Sequence, residues 1–555
     1  MSTSPWQALD ARARIAIGQS KGDLITWAAP IVIASGFLLL LIATFGSVVR
    51  GIYMDSDAVS LPLIGELYPS APNHADVVVG FGGWYTGLWF ELVTRFLPFH
   101  WQLWEVGPWF VSLAAVGLVV WSVVRVAGRW AGALVAFILV CAGPTLLALQ
   151  FEWAKHGASV VNICVLGASL VLLVGRDGKI GGWATHLAAS AVVVAITAAG
   201  TASDELLIPT GVIPFMLAGV LLAYILPRSV GRRIGLTVAG VGALSLIGSR
   251  VVIAAMAAHH IHPVYLPIRF AMWDRIGPNA VGLAESLAAL FNGDFSGAAI
   301  DGRSILALAC AVSLAAGIVV VVRMGGEWSR DLARRIAIGN RDTSHSFGVR
   351  AAYVTFWLLV GTFTSAAFVL SSVAGDHGSR YLLPLAYACT ALVALAVADR
   401  GVWYRRAVLL GASVIAAGSV VSLAARDLRP DPGAKSFASV LLAFAQGEGL
   451  TYGYAHYWDS AQLAGVLHGK LPIYPIEPCN ASHGLCRFPF NDISSWYEPR
   501  PATRTFVIVD PRYGVDPGKR LGGTDAALTY GYYTVLVYNY DIASNLGPAP
   551  AWLGT

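Results

Sequence analysis

The stretch WAAPIVIASGFLLLLIATFGSVVRGIYMDSDAVSLPL (27–63) decides the class of this chain. Most of it belongs to an apolar run, 25–48, long enough to cross a bilayer, which takes about 20 mostly apolar residues. Just beyond that run stand two aspartates, Asp55 and Asp57. Paired carboxylates at a membrane boundary need a reason. Working outward, 56% of the 555 residues are hydrophobic and 12% are charged, against roughly a quarter charged in a soluble domain. A soluble core cannot absorb that much apolar surface, so the solvent for most of the chain is a bilayer. The net charge of +5 comes without a basic run interleaved with aromatics, which argues against nucleic-acid binding. The first 24 residues are polar, and the first apolar run is too long for the apolar region of a cleavable signal peptide.

Eleven spans are expected, at about 25–48, 105–124, 130–150, 157–175, 184–201, 206–226, 234–257, 304–323, 351–373, 381–398 and 403–424. Lysine and arginine number 19 on the N-terminal side of these spans and 7 on the short opposite loops. The positive-inside rule then puts the N-terminus inside, and an odd number of spans puts the C-terminus outside. After about 425 the chain turns polar and rich in Tyr, Pro and Gly. The runs LTYGYAHYW, KLPIYPI, RTFVIVD and YTVLVYNYD read as strands and SAQLAGVLHG as a helix, so 426–555 is expected to be a small α/β domain. Cys479 and Cys486, in CNASHGLC, are close enough for a disulfide loop. No further Cys or His pair joins them to suggest zinc. A disulfide there implies an oxidising compartment, in agreement with the orientation. Cys141, Cys164, Cys310 and Cys389 lie singly in apolar runs and read as packing residues. The expected architecture is therefore an α-helical polytopic membrane protein. It has an inner N-terminal segment (1–24), a transmembrane domain (25–425) with a long first outer loop (50–104), and an outer C-terminal α/β domain.

Most acids and histidines fall on the expected outer face. Asp55 and Asp57 share the first loop with His74 and Asp76. Glu152, Lys155 and His156 stand in the second, Asp204 and Glu205 in the third. The fourth holds His259, His260, His262 and Arg269, and the fifth Asp376, His377, Arg380 and Tyr381. Charges near span ends cost roughly 2.5–3.5 kcal/mol at membrane depth, and their repetition across five loops on one face favours a polar cavity over snorkelling and mutual ion pairing. Arg250, deep in its span, is expected to pair with an acid or reach that cavity. The segment WYTGLWFELVTRFLPFHW (84–101) has the spacing of a helix lying in the interface. The plainer reading of Asp55 and Asp57 is as N-terminal charges for a short helix near SLPLIGELY.

With Asp55-Ser56-Asp57 in the first loop, Ser203-Asp204 after the fifth span and Arg380-Tyr381-Leu382-Leu383-Pro384 opening the tenth, the chain resembles the GT-C glycosyltransferases over roughly 25–425. The WWD-type motif of the oligosaccharyltransferase branch is not seen. The resemblance implies transfer of a sugar from a polyprenyl-phosphate donor to a glycan, lipid or protein acceptor on the outer face. It implies Asp55 or Asp57 as general base, since the attacking hydroxyl must lose a proton. For the donor phosphate, Arg380 with Tyr381 is the first choice, because arginine matches phosphate oxygens in a bidentate way; Arg269 and Lys155 are weaker choices. Asp204, Glu205, Glu152, His156, His262 and His377 are candidates to hold the acceptor or an ion. The leaving phosphate needs cations or a metal to stabilise its growing charge; the resemblance makes no cofactor certain, and a divalent cation, Mg or Mn, held by Asp55 and Asp57 stays open. No GxxxxGK[ST] stretch is present, which favours a lipid-carried over a nucleotide-borne sugar. The Ala-, Val- and Arg-rich usage points to a bacterial inner membrane. A transporter, flippase or polymerase of lipid-linked glycans is the alternative. A transporter calls for mid-span polar sites or inverted repeats, and neither is evident.

Overall fold

The computed structural model describes residues 28, 31–42, 56–67, 72, 75–80, 106–151, 156–175, 183–225, 228–265, 268–338, 345–374, 378–425, 432–479, 484–501, 503–514 and 521–549. The interfacial helix expected at 84–101 lies outside them, and the first expected span is described only as the apolar helix α1 (Ile31–Ile42). Among the described residues, nine helices are long and apolar enough to cross a membrane, or ten if one bent pair counts as a span. The chain is thus a multi-pass helical membrane protein with a mixed α/β C-terminal region.

A short helix, α2 (Ser56–Leu67), follows, with Asp57 in its first turn. The plain reading of Asp57 as a helix N-terminal charge therefore holds, alongside what is described below. The bundle begins with α3 (Val106–Ala127), α4 (Arg129–Val140) and α5 (Pro144–Phe151). Where one span was expected at 130–150, α4 and α5 meet at 97°. Two causes coincide at the break. Pro144 disfavours helical backbone at Gly143, and the Asn292 side chain packs where a Gly143 Cβ would lie.

The most buried spans are α6 (Gly157–Gly175) and, later, α13 (Leu383–Val397) with its 310 lead-in Gly378–Leu382. The alanine- and leucine-rich surface of α13 lets neighbours pack on every side. Between them run α7 (Trp183–Ser203), a π turn (Ile208–Val212) that continues as α8 (Ile213–Ile225), and α9 (Arg228–Ala258). The amphipathic α10 (Trp273–Leu290), α11 (Gly302–Ile338) and α12 (His345–Val369) follow; α14 (Val402–Ala425) closes the bundle. The windows of α9, α11 and α14 are buried over less than a third of their length, which leaves leucine, isoleucine and valine facing outward. This is the composition a lipid-facing wall requires.

Helices α8 and α9 approach closely through glycine. A Cβ on Gly235 would lie 2.5 Å from the Gly219 carbonyl oxygen. Gly235→Ala is expected to lower the thermal unfolding temperature, by about 1–3 kcal/mol of overpacking, although alanine favours helix by about 1 kcal/mol. Gly240→Ala, on the same helix with open space around it, is expected to raise that temperature. Equal shifts in both variants would show that α8–α9 contact does not govern the effect.

The C-terminal region starts with α15 (Pro432–Gly447), which the sequence reading did not separate from its loop. The expected helix is α16 (Tyr457–Val466), and the four expected strands are present as β3 (Gly453–His456), β4 (Ile473–Pro478), β7 (Thr505–Val509) and β9 (Tyr533–Tyr538). They join β5 (Leu485–Arg487) and β8 (Ala526–Tyr530) in a six-stranded sheet of order β5-β4-β3-β7-β9-β8. β4, β3 and β7 are parallel and the outer pairs antiparallel. Cys479 and Cys486 are disulfide-bonded. The aromatics Tyr452, Tyr454, Tyr457, Trp496 and Tyr497 are buried and build the core of this region.

A second sheet ties that region to the bundle. β1 (Val77–Val79) pairs in parallel with β2 (Ile261–Pro263) and antiparallel with β6 (Asp492–Ile493). Three stretches more than 180 residues apart in sequence thus share one small sheet. Helix α16 packs on α2, with Gly465 so close to Val59 that a Cβ would come within 2.4 Å.

Candidate active site

The site is built where α2, the turn before α13 and the start of α16 meet. Asp57 is buried. Its Oδ1 accepts a 2.7 Å hydrogen bond from the Tyr457 hydroxyl, and its Oδ2 lies 3.7 Å from Arg380 Nη1. Tyr457 is the first residue of α16, so the C-terminal region contributes a group to the first-loop acid. Burial, then the Asp57 charge, push the Tyr457 hydroxyl well above its ordinary range and keep it a donor. Asn491, held at a left-handed φ of 51°, fastens the corner. It donates to Ser60 Oγ (2.9 Å) and to the Tyr457 hydroxyl (3.3 Å) and accepts from the Gly80 amide (2.7 Å). Ser56 donates to the Trp458 carbonyl at 2.7 Å.

Arg380 is placed by the 310 turn Gly378–Leu382, in which Gly378 sits against the Phe368 ring at a distance no side chain would allow. Its Nη2 donates to the Tyr381 hydroxyl at 3.1 Å, and its guanidinium stands 5.0 Å from that ring. Its Nε is buried and has no acceptor among the described residues. The guanidinium is partly buried, 19% exposed, and keeps donor capacity that an anion could take up.

Tyr381 continues the line, its ring 4.8 Å from that of His156. His156, itself at φ 70°, contacts Asp204 through Nδ1 at 2.6 Å. Ser159 donates to the same Asp204 oxygen at 2.5 Å, and the Leu206 amide donates to the other at 3.0 Å. Asp57, Arg380, Tyr381, His156 and Asp204, which come from four separate loops, thus form one chain of contacts.

The remaining candidates lie apart. Glu205 pairs with Arg250 at 3.5 Å on an exposed face, which accounts for an arginine deep in a span. His262 and His260 both reach Asp76 Oδ1, at 3.1 and 3.0 Å, and these bonds hold the Asp76 carboxyl below its ordinary value. Arg269 is exposed and pairs through its backbone with Ser372. Asp55, Glu152, Lys155 and His377 lie outside the described residues. Sequence reading missed Asn491, which stands in a loop with no pattern around it, and took Tyr457 only as an aromatic. As to a divalent cation, no group of three His, Cys, Asp or Glu side chains that could hold a metal occurs among the described residues. Arg380 lies 3.7 Å from Asp57, and Asp55, the other acid of the candidate cation pair, lies outside the described residues.

A second polar cluster lies in the C-terminal region. Asp510, fully buried just after β7, takes a forked ion pair from Arg512, whose Nη2 and Nε lie 2.6 and 2.9 Å from Oδ2. Asp459, in the first turn of α16, is 2% exposed and 3.7 Å from Arg512 Nη2. Burial, then the neighbouring Asp510 charge, push Asp459 up to about 7, with Arg512 and His456 pulling the other way. A carboxyl raised in the fold makes the native state bind more protons than the unfolded chain, so its contribution falls as pH rises from the ordinary value near 3.8 to about 7. Asp459→Asn removes that loss. Its unfolding temperature is expected to gain on the wild type across that window, and a pH-independent difference would contradict the assignment.

No family model and no curated protein matches the chain. In structure it is similar to two solved proteins. One is ArnT from Cupriavidus metallidurans, in a crystal structure bound to undecaprenyl phosphate, at TM-score 0.49 and 11% identity over 93% of this chain and 99% of that one. Another is the Archaeoglobus fulgidus oligosaccharyltransferase. Its apo form matches at TM-score 0.44 and 13% identity over 87% of this chain and 69% of that one. The same enzyme tethered through a disulfide to an acceptor peptide containing the NVT sequon matches at TM-score 0.43 and 13% identity over 80% of this chain. The chain spans 63% of the length of that last structure.

Proposed function

We propose that the chain is a membrane glycosyltransferase that moves a sugar from a polyprenyl-phosphate carrier to an acceptor on the outer face. The observation that carries this reading is the pairing of buried Asp57 with partly buried Arg380, with Arg380 Nε left without an acceptor among the described residues. On this reading Arg380 takes the phosphate of the carrier, and Tyr381 beside it sets the guanidinium's angle. The acceptor hydroxyl attacks the anomeric carbon. The bond from that carbon to the phosphate oxygen breaks, and its electron pair leaves with the phosphate. Arg380 stabilises the negative charge that grows there, and Asp57 takes the proton from the acceptor. The Tyr457 hydroxyl and Asn491 fix the carboxylate's orientation. His156 and Asp204, both buried, back the Tyr381 ring and hold it in place on this reading. The disulfide and the excess of Lys and Arg on the N-terminal side support a C-terminal region facing outward, and the Ala-, Val- and Arg-rich usage supports a bacterial inner membrane.

The test is transfer of label by the purified full-length chain from a polyprenyl-phosphate sugar and, separately, from a nucleotide sugar. Hexosyl and pentosyl donors are run in parallel against a panel of glycan, lipid and peptide acceptors. Transfer from the lipid donor alone is the expected result. Movement of the intact lipid-linked sugar across a vesicle membrane with no transfer would instead make the chain a flippase.

A further inference from the structure

The Asp459–Asp510 cluster stands at a special place in its sheet. β3 leads through α16 to β4 on one side, while β7 pairs with β3 on the other, so the order of the chain reverses between β3 and β7. In parallel sheets, ligands bind in the crevice beyond the carboxyl ends of the two strands that flank such a reversal. His456 ends β3, Asp459 follows it in the first turn of α16, and Asp510 follows β7. The start of β9 lies beside the end of β7, through the pair Val509–Thr534, and brings Tyr532 and Tyr533 to the same rim.

The contents of this crevice are chemically specific. Asp459 Oδ2 is buried with no hydrogen-bond partner among the described residues. Its Oδ1 is 3.5 Å from the Tyr533 hydroxyl, which accepts in turn from Tyr532 at 3.2 Å. Arg512 lies 4.0 Å over the Tyr532 ring and is half-exposed. The Tyr513 ring, at the same rim, stacks on His456 at 4.2 Å. None of this belongs to the Asp57–Arg380 centre, which meets α16 through Tyr457 instead.

Three ligand classes fit poorly. An anion meets a guanidinium already neutralised by Asp510 and a further acid at Asp459, which stands where a helix N-terminus would otherwise receive a phosphate. A divalent cation meets Arg512 between the carboxyls, and no metal-holding group forms here among the described residues. An apolar ligand would cover the half-exposed Arg512 guanidinium and offer it no acceptor. A neutral, hydroxyl-rich ligand suits every group. Its hydroxyls donate to Asp459, accept from the exposed edge of Arg512, and lie against the half-exposed rings of Tyr530 and Tyr532.

We propose that this switch-point crevice binds a neutral sugar chain, as a second carbohydrate site separate from the reacting centre. The proposal does not rest on the transferase reading, because binding is read with no donor present. The test is titration of the full-length protein in detergent with hexose and pentose oligosaccharides, followed by calorimetry, with inorganic phosphate as comparator. At least one neutral oligosaccharide is expected to bind and phosphate to fail. Asp459→Leu and Tyr532→Ala should each weaken that binding about tenfold, the loss of one buried hydrogen bond or one ring contact. Tyr532 is on the surface, so Tyr532→Ala guards against loss of folding in the Asp459 variant. Failure of every neutral oligosaccharide at millimolar concentration would overturn the proposal. So would binding of phosphate in their place, or binding that ignores Tyr532→Ala.

Discussion

Asp57→Asn is expected to remove sugar transfer by about a thousandfold, the middle of the range for loss of a general base, while donor affinity stays within a few-fold. The amide keeps the shape of the carboxylate and still offers an oxygen to the Tyr457 hydroxyl, but it cannot take a proton. Were Asp57 only a first-turn charge on α2, its worth would be about 0.3–1 kcal/mol of stability and turnover would survive. The substitution also leaves the Arg380 guanidinium without its counter-charge. Breaking one side of a fully buried pair costs roughly 3–5 kcal/mol; with Arg380 19% exposed the cost here is smaller, and the unfolding temperature is expected to fall as well. Asp57→Asn with Arg380→Gln should recover part of that temperature and none of the transfer. This separates the base from the ion pair. Asp55→Asn, measured beside it, distinguishes the two acids: full activity there and none in Asp57→Asn is the expected pattern.

Arg380→Gln is expected to act on the donor first. Truncating a buried charge that bonds an opposite charge costs about 2–5 kcal/mol, which is a loss of donor affinity of roughly 30-fold to several thousandfold. Turnover at saturating donor should fall too, because charge on the leaving phosphate grows toward the transition state. Arg380→Lys should recover part of the affinity and little of the turnover, since a compact ammonium lacks the planar fork and cannot reach both Asp57 and the Tyr381 hydroxyl. Loss of turnover with unchanged donor affinity in Arg380→Gln would move the phosphate elsewhere, with Arg269 and Lys155 the next candidates.

Much of this could be read from the chain. Spans announce themselves through long apolar runs, and the strands of the C-terminal region through alternating or continuous apolar runs. The meeting of Asp57 with Arg380 followed from sorting charges by the side of the membrane. Four of the acids, arginines and histidines assigned to the expected outer side then converge in the structure: Asp57, Arg380, His156 and Asp204. What escaped reading depends on contacts between distant segments. β1 and β6 are three and two residues long, too short for any periodicity, and their pairing is set by how the C-terminal region docks. Asn491 acts by virtue of its φ and its three partners, none adjacent in sequence. Asp459 and Asp510 look like ordinary helix and strand-end acids, and only the strand order brings them together. The break between α4 and α5 was marked by Gly143-Pro144, but proline near a span can equally kink it gently; Asn292, far along the chain, fills the gap.

The most direct measurement is a structure of the full-length chain in a lipid nanodisc with polyprenyl phosphate added. The account predicts the phosphate within about 3 Å of the Arg380 guanidinium, its first sugar-bearing oxygen turned toward Asp57. Phosphate held at another place, with Arg380 still facing Asp57 and no oxygen of the lipid near either, would contradict it.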